Sequence, residues 1–243
     1  MDNSTHPFIN PFTDFGFKRL FGSKDHSDLL IDFLNTMLPE HHHIQEICLR
    51  KTEELRNTSV DRKSVFYLYC RANSGEQFIV EIHRPSQDYY HERFVFYGFF
   101  PTKYETHTGV REFQIYPIPV YRVILVDFLI DHEEESANQY FHIVKLVDLE
   151  TNEVFTNKLI LMILEIQKFE KTEDQLNSHF EKWLYALKHM PNLHQRPAKL
   201  EEHIFTRLFE TLNIAQLSQS ERAEYENSLK VSRDMQSSPD VTF

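Results

Sequence analysis

Apolar and polar positions alternate most plainly between residues 64 and 83. Ser64-Val-Phe-Tyr-Leu-Tyr-Cys70 is rich in β-formers, Ala72-Asn-Ser-Gly75 is turn chemistry, and Gln77-Phe-Ile-Val-Glu-Ile-His83 repeats with period two. This pattern predicts a β-hairpin. In its second strand Phe78, Val80 and Ile82 fall on one face, and Ile79, Glu81 and His83 on the other. Short apolar segments at 120–129, 140–149 and 159–166 predict three more strands, with the polar run Asp131-His-Glu-Glu-Glu-Ser as an exposed connection. Helical periodicity governs the flanks. Residues 8–22 predict a short helix capped by Thr13 or Asp14 and ended by Gly22. Residues 28–38 predict a second, with Leu29, Ile31, Phe33, Leu34 and Leu38 apolar and Pro39 as its stop. Residues 86–100, dense in Tyr and Phe around Arg93, predict a helix lying on the sheet. From Thr172 onward, segments 179–189, 200–212 and 218–235 predict three further helices, the last strongly polar. Strands and helices in this succession indicate an α/β chain.

Composition narrows the chemistry. Aromatic residues fill 14% of the 243 positions, enough for a substantial core. Five glycines, with neither G-x-G-x-x-G nor G-x-x-x-x-G-K-[ST], remove the loops that cradle nucleotide phosphates. No apolar run approaches the ~18 residues of a membrane span. The first residues show no leader pattern, so a cytoplasmic protein is expected, with Cys48 and Cys70 reduced and buried. His41, His42 and His43 point in three directions, which suits a solvated helix end better than a metal cage.

The formal net charge is −11. A chain this acidic meets nucleic acid only through a local basic patch. One candidate lies between residues 50 and 71, where Arg50, Lys51, Arg56, Arg62, Lys63 and Arg71 outnumber Glu53, Glu54 and Asp61. The competing reading is a solvated face.

Glu81 and His83 share one strand face, about 7 Å apart. Taken alone, the pair reads as an exposed carboxylate and imidazole on a half-covered sheet. Its neighbours add more. Pro11-Phe-Thr-Asp-Phe-Gly-Phe-Lys-Arg-Leu-Phe-Gly22 opens the chain, Leu34-Asn35 ends the next helix, and Asp61-Arg-Lys-Ser-Val-Phe-Tyr-Leu-Tyr-Cys70 leads to Gly75-Glu-Gln-Phe-Ile-Val-Glu-Ile-His83. Arg93 and Tyr97, Leu164-Glu-Ile-Gln-Lys-Phe169 and Trp183-Leu184 follow. In this order, over about residues 8–190, the blocks resemble those of the recombination-promoting nuclease and transposase family of the PD-(D/E)XK superfamily.

The resemblance implies a restriction-endonuclease-like core at residues 1–170, with a mixed central sheet flanked by helices, and a helical C-terminal extension at 171–243. It implies a metal-dependent DNA endonuclease linked to transposition or recombination, with DNA as partner, no membrane partner, and a homo-oligomer left open. Such a site holds Mg²⁺ or Mn²⁺ on a helix Glu, a first-strand Asp and a second-strand Glu, with a Lys or Gln two residues on to orient water. Hard cations prefer oxygen ligands, and the metal neutralises charge developing on phosphate.

Carried over position by position, Glu53 matches the helix Glu and Glu81 the strand Glu, and these are the implied metal ligands. Tyr67 stands where the family has Asp, and His83 where it has Lys or Gln. A phenol with a pKa near ~10 is a poor ligand for a hard cation at neutral pH. Asp61 is too distant to substitute, since six extended residues span about 20 Å. Glu53, Tyr67, Glu81 and His83 are therefore the candidate catalytic positions, in a site expected to be impaired. Arg50, Lys51, Arg56, Arg62 and Lys63 are the candidate DNA contacts. The rival reading is a non-catalytic DNA-binding or protein-interaction module that keeps the fold.

Overall fold

The computed structural model describes residues 6–50, 65–72, 75–83, 119–130 and 138–237. Six strands form one mixed sheet: β1 (Ile47–Arg50), β2 (Val65–Ala72), β3 (Gln77–His83), β4 (Val120–Val126), β5 (Phe141–Val147) and β6 (Val154–Glu165), ordered β1-β2-β3-β4-β6-β5. The predicted hairpin is β2–β3. β1, β2 and β3 are antiparallel neighbours, β3, β4 and β6 run parallel, and β5 returns antiparallel to β6 at the far edge. Parallel neighbours need a crossover rather than a tight turn, and a long segment separates β3 from β4. The helix predicted at 86–100 falls in that segment, outside the described residues, as does the connection at 131–136.

Five α-helices are described: α1 (Asp14–Phe21), α2 (Ser27–Asn35), α3 (His179–His189), α4 (His203–Thr211) and α5 (Gln219–Ser237). The opening signature builds the joint that seats α1. The Thr13 hydroxyl donates to the Asn10 carbonyl at 2.7 Å and accepts from the Gly16 amide at 2.9 Å, capping the helix. Gly16 is required by this closeness, since a Cβ there would lie 2.0 Å from the Asn10 carbonyl oxygen. α5 locks the joint from outside. Tyr225 accepts from the Asn10 amide at 2.9 Å, Ser228 from the Phe15 amide at 3.2 Å, and Glu221 pairs with Arg19 at 2.8 Å. The polar character of α5 thus serves hydrogen bonding to the N-terminal segment.

One face of the sheet meets the helices. Leu68, Phe78, Val80, Ile82, Val123, Leu125, Met162 and Leu164 pack with Phe17, Leu20, Leu29, Phe33, Trp183, Phe205 and Leu208 in one buried cluster. N-terminal and C-terminal helices therefore share a single core. At its margin half-buried Asp32 of α2 accepts from the indole of fully buried Trp183 at 2.6 Å and from His179 at 2.7 Å.

This last contact makes stability pH-dependent. The hydrogen bond to Asp32 raises the His179 pKa above 6.5 despite the opposing effect of burial, with Glu202 adding to the rise and Lys182 opposing it. A raised folded-state pKa means that the contribution is complete below about 6.5 and is lost as pH climbs through the higher folded value. The melting-temperature advantage of wild type over His179→Gln is expected to shrink from pH 6 to pH 9. A pH-invariant difference would show that the ion pair contributes nothing.

Several boundaries differ from the sequence expectation, each for a contact reason. β1 was not predicted; its four residues become a strand only by pairing with β2. β6 begins at Val154 rather than near 159, because Val147 pairs with Val154. α2 stops at Asn35, whose side-chain amide donates to the Ile44 carbonyl at 2.9 Å and accepts from its amide at 2.7 Å, turning the chain. Cys70 is buried and burial pushes its thiol pKa upward, with Cys48 adding to the shift, but Cys48 itself is exposed rather than buried. His42 and His43 are exposed beside a short 3-10 turn, and His42 lies 3.6 Å from Glu76.

Candidate active site

The sheet face turned away from the helices carries the candidate positions. On β3, Phe78, Val80 and Ile82 belong to the helix-side core, so positions 79, 81 and 83 occupy the other face. The β2–β3 register pairs Tyr67 with Glu81 and Val65 with His83. Directly paired residues share a face and sit about 5 Å apart between Cα atoms. Tyr67, Glu81 and His83 are therefore neighbours on one surface. Arg50, paired with Tyr69, occupies the same face one step along the strands. Glu53, Lys51, Arg56, Arg62 and Lys63 lie outside the described residues.

The register extends this face across the parallel strands. Ile79 is level with Arg122 and Leu161, Glu81 with Ile124 and Ile163, and His83 with Val126 and Glu165. Ile124, Val126 and Ile130 form a small buried cluster there, with Phe128 and Ile163 against it. Arg122 is only 1% exposed and lies diagonal to position 81. Arg122 thus places a buried guanidinium on the same face as position 81. Of the two carboxylates that the resemblance assigns to the cation, Glu53 and Glu81, only position 81 lies among the described residues.

A second ionisable group on this face had no role assigned from sequence. Glu165, at the end of β6, is fully buried. Its carboxylate accepts from His142 Nε2 at 3.0 Å, from Lys168 Nζ at 3.1 Å and from the Ile130 amide at 3.1 Å. His142 Nε2 also meets the Gln139 carbonyl at 3.1 Å; both partners accept, so this nitrogen carries the hydrogen. Gln167, two residues on, donates to Asp127 at 2.6 Å. Position 165 lies two strands from His83, about 10 Å away. Glu165 anchors a cluster that ties the ends of β4, β5 and β6 together. The sequence signal was present in Leu164-Glu-Ile-Gln-Lys-Phe169, a charged residue at the end of an apolar run, but two of its three partners, His142 and the Ile130 amide, come from distant segments.

Among the described residues no group of three or more His, Cys, Asp or Glu could hold a metal ion, and no helix is long and apolar enough to cross a membrane. Comparison with curated proteins and with solved structures returns no match. A family model described as PD-(D/E)XK nuclease family transposase matches residues 11–241. That match runs from the α1 joint through the hairpin to the last helix and agrees with a mixed six-stranded sheet flanked by helices. The chain belongs to the PD-(D/E)XK nuclease family of transposases.

Proposed function

We propose that this chain is a DNA-associated member of its family whose ancestral metal-dependent endonuclease activity is impaired. One observation carries the reading: Tyr67 faces Glu81 across the hairpin, where the family chemistry calls for a second carboxylate. Nuclease members of the superfamily use a divalent ion to activate water and to balance charge on phosphate. Here a phenol stands where one carboxylate ligand is expected, and His83 stands where the water-orienting Lys or Gln is expected. Each change weakens the electrostatic case for a bound cation. Glu81 and His83 can still orient water or a phosphate oxygen by hydrogen bonding, without the metal's charge.

DNA contact in this reading rests on the basic segment from Arg50 onward, the only dense group of cations on an acidic chain. Phosphate contacts release counterions, so binding is expected to be weak and to fall steeply with salt. Reversing Arg56, Arg62 and Lys63 to Glu should remove it, as read by fluorescence anisotropy with a duplex oligonucleotide across a salt series. Binding that survives the triple reversal with the same salt slope would assign these residues to a solvated face.

A further inference from the structure

From the hairpin formed by β5 and β6 we infer that this chain self-associates, two copies clasping each other through an apolar arm. β5 is the edge strand, and its pairing with β6 continues past register shifts between Lys145 and Leu146 and between Leu146 and Val147. Ile143 and Val144 before these shifts, and Leu146, Val147, Val154 and Phe155 beyond them, are exposed, Phe155 by 78%, and Leu149 at the tip by 89%. Elsewhere among the described residues the large exposed apolar side chains are only Leu129 and Val231. Monomeric proteins seldom leave so many large apolar side chains gathered on one element in water.

The arm is built to hold its shape. The Asp148 carboxylate accepts from the amides of Glu150 at 2.8 Å and Thr151 at 3.1 Å, and these bonds lower its pKa. The Asp148 amide donates to the Glu153 carbonyl at 2.9 Å, and Asn152 takes the left-handed turn position with φ 56°. An apolar tip on a rigid turn loses little conformational freedom when it docks.

Charge identifies a second copy as the occupant. Successive strand residues alternate faces, so Ile143 and Val144, and likewise Val154 and Phe155, place apolar side chains on both faces of the arm. Lys145 and Lys158 lie toward the base of the hairpin, whereas Asp148, Glu150 and Glu153 lie at its tip, all exposed. Two arms laid antiparallel about a two-fold axis set each acidic tip against the partner's basic base. The surface is thus self-complementary, as an isologous interface requires. The same acidic tip repels phosphate, which disfavours DNA or an anionic membrane there.

The test is sedimentation equilibrium of the full chain from micromolar to near-millimolar concentration. Wild type should shift from the 29.2 kDa monomer to twice that mass. Leu149→Asp with Phe155→Asp should stay monomeric while keeping the wild-type circular dichroism and melting temperature, since both positions are exposed. A charge-swap pair gives a second reading: Lys158→Glu should weaken self-association, and mixing it with Glu153→Lys should restore a heterodimer. Wild type that remains monomeric throughout would overturn the inference and leave the arm to another partner. Self-association unchanged in the double Asp variant would overturn it by placing the interface elsewhere.

Discussion

Tyr67→Asp combined with His83→Gln is expected to raise Mg²⁺-dependent DNA cleavage about tenfold or more over a wild-type chain expected to show little or none. Position 67 faces Glu81 in the hairpin register, so Asp returns a second carboxylate to the same face and removes a bulky phenol. Each tenfold in rate corresponds to about 1.4 kcal/mol of barrier, a modest demand on a restored oxygen ligand. Gln at 83 offers a hydrogen-bonding group for water that does not compete for the metal. The gain should vanish with chelator and with Glu81→Ala, which separates rescue from a contaminating nuclease. Calorimetry supplies a readout independent of turnover: Mg²⁺ or Mn²⁺ binding should emerge in the double variant and be lost with Glu81→Ala. Robust wild-type cleavage that Glu81→Ala abolishes would defeat the impaired reading and assign a working, remodelled site to Glu53, Glu81 and His83. Absence of rescue in a folded double variant would carry the loss beyond these two positions, with Arg122 the next to replace, because its buried charge lies diagonal to Glu81.

The largest stability effect is expected at Glu165. Its carboxylate is fully buried and accepts from His142, Lys168 and the Ile130 amide. Lys168 is itself only 9% exposed. Glu165→Ala strips the anion from a buried cation, an imidazole and a backbone amide together. Breaking a buried pair on one side costs about 3–5 kcal/mol, a fall in melting temperature on the order of 10 °C for a chain of this size. Glu165→Gln keeps an acceptor of the same shape and should cost roughly half as much. Replacing the pair together, Glu165→Met with Lys168→Met, should cost less than Glu165→Ala, since no charge is then stranded. Equal melting temperatures for wild type and Glu165→Ala would mean that water reaches and satisfies this cluster.

The α1 joint separates two meanings of a strong sequence signature. Pro11 to Gly22 carried much of the family resemblance, yet its residues make a helix cap, a glycine contact and hydrogen bonds to α5. The segment serves packing, because Gly16 admits no Cβ and Thr13 satisfies two backbone groups at once. The chemical positions are less conspicuous in sequence: a strand Glu, a Tyr where Asp is expected, and a His two residues on.

Local pattern alone determined the β2–β3 hairpin, the strand cores of β4, β5 and β6 and the limits of α3, which runs His179–His189 as its periodicity predicts, while the structure chose Thr13 over Asp14 as the cap of α1. These depend on neighbours within a few residues, through side-chain alternation and capping, so one segment suffices to specify them. Pairing and burial were decided by the tertiary structure. β1 exists because β2 offers it a partner, β6 extends because Val147 reaches Val154, and Asp32 acquires its role from Trp183 and His179, about 150 residues away in sequence. Glu165 looked like the end of an apolar strand until its donors arrived from 130, 142 and 168. Burial sets the cost of leaving a charge unpaired, and burial is a property of the whole fold, which no single segment carries.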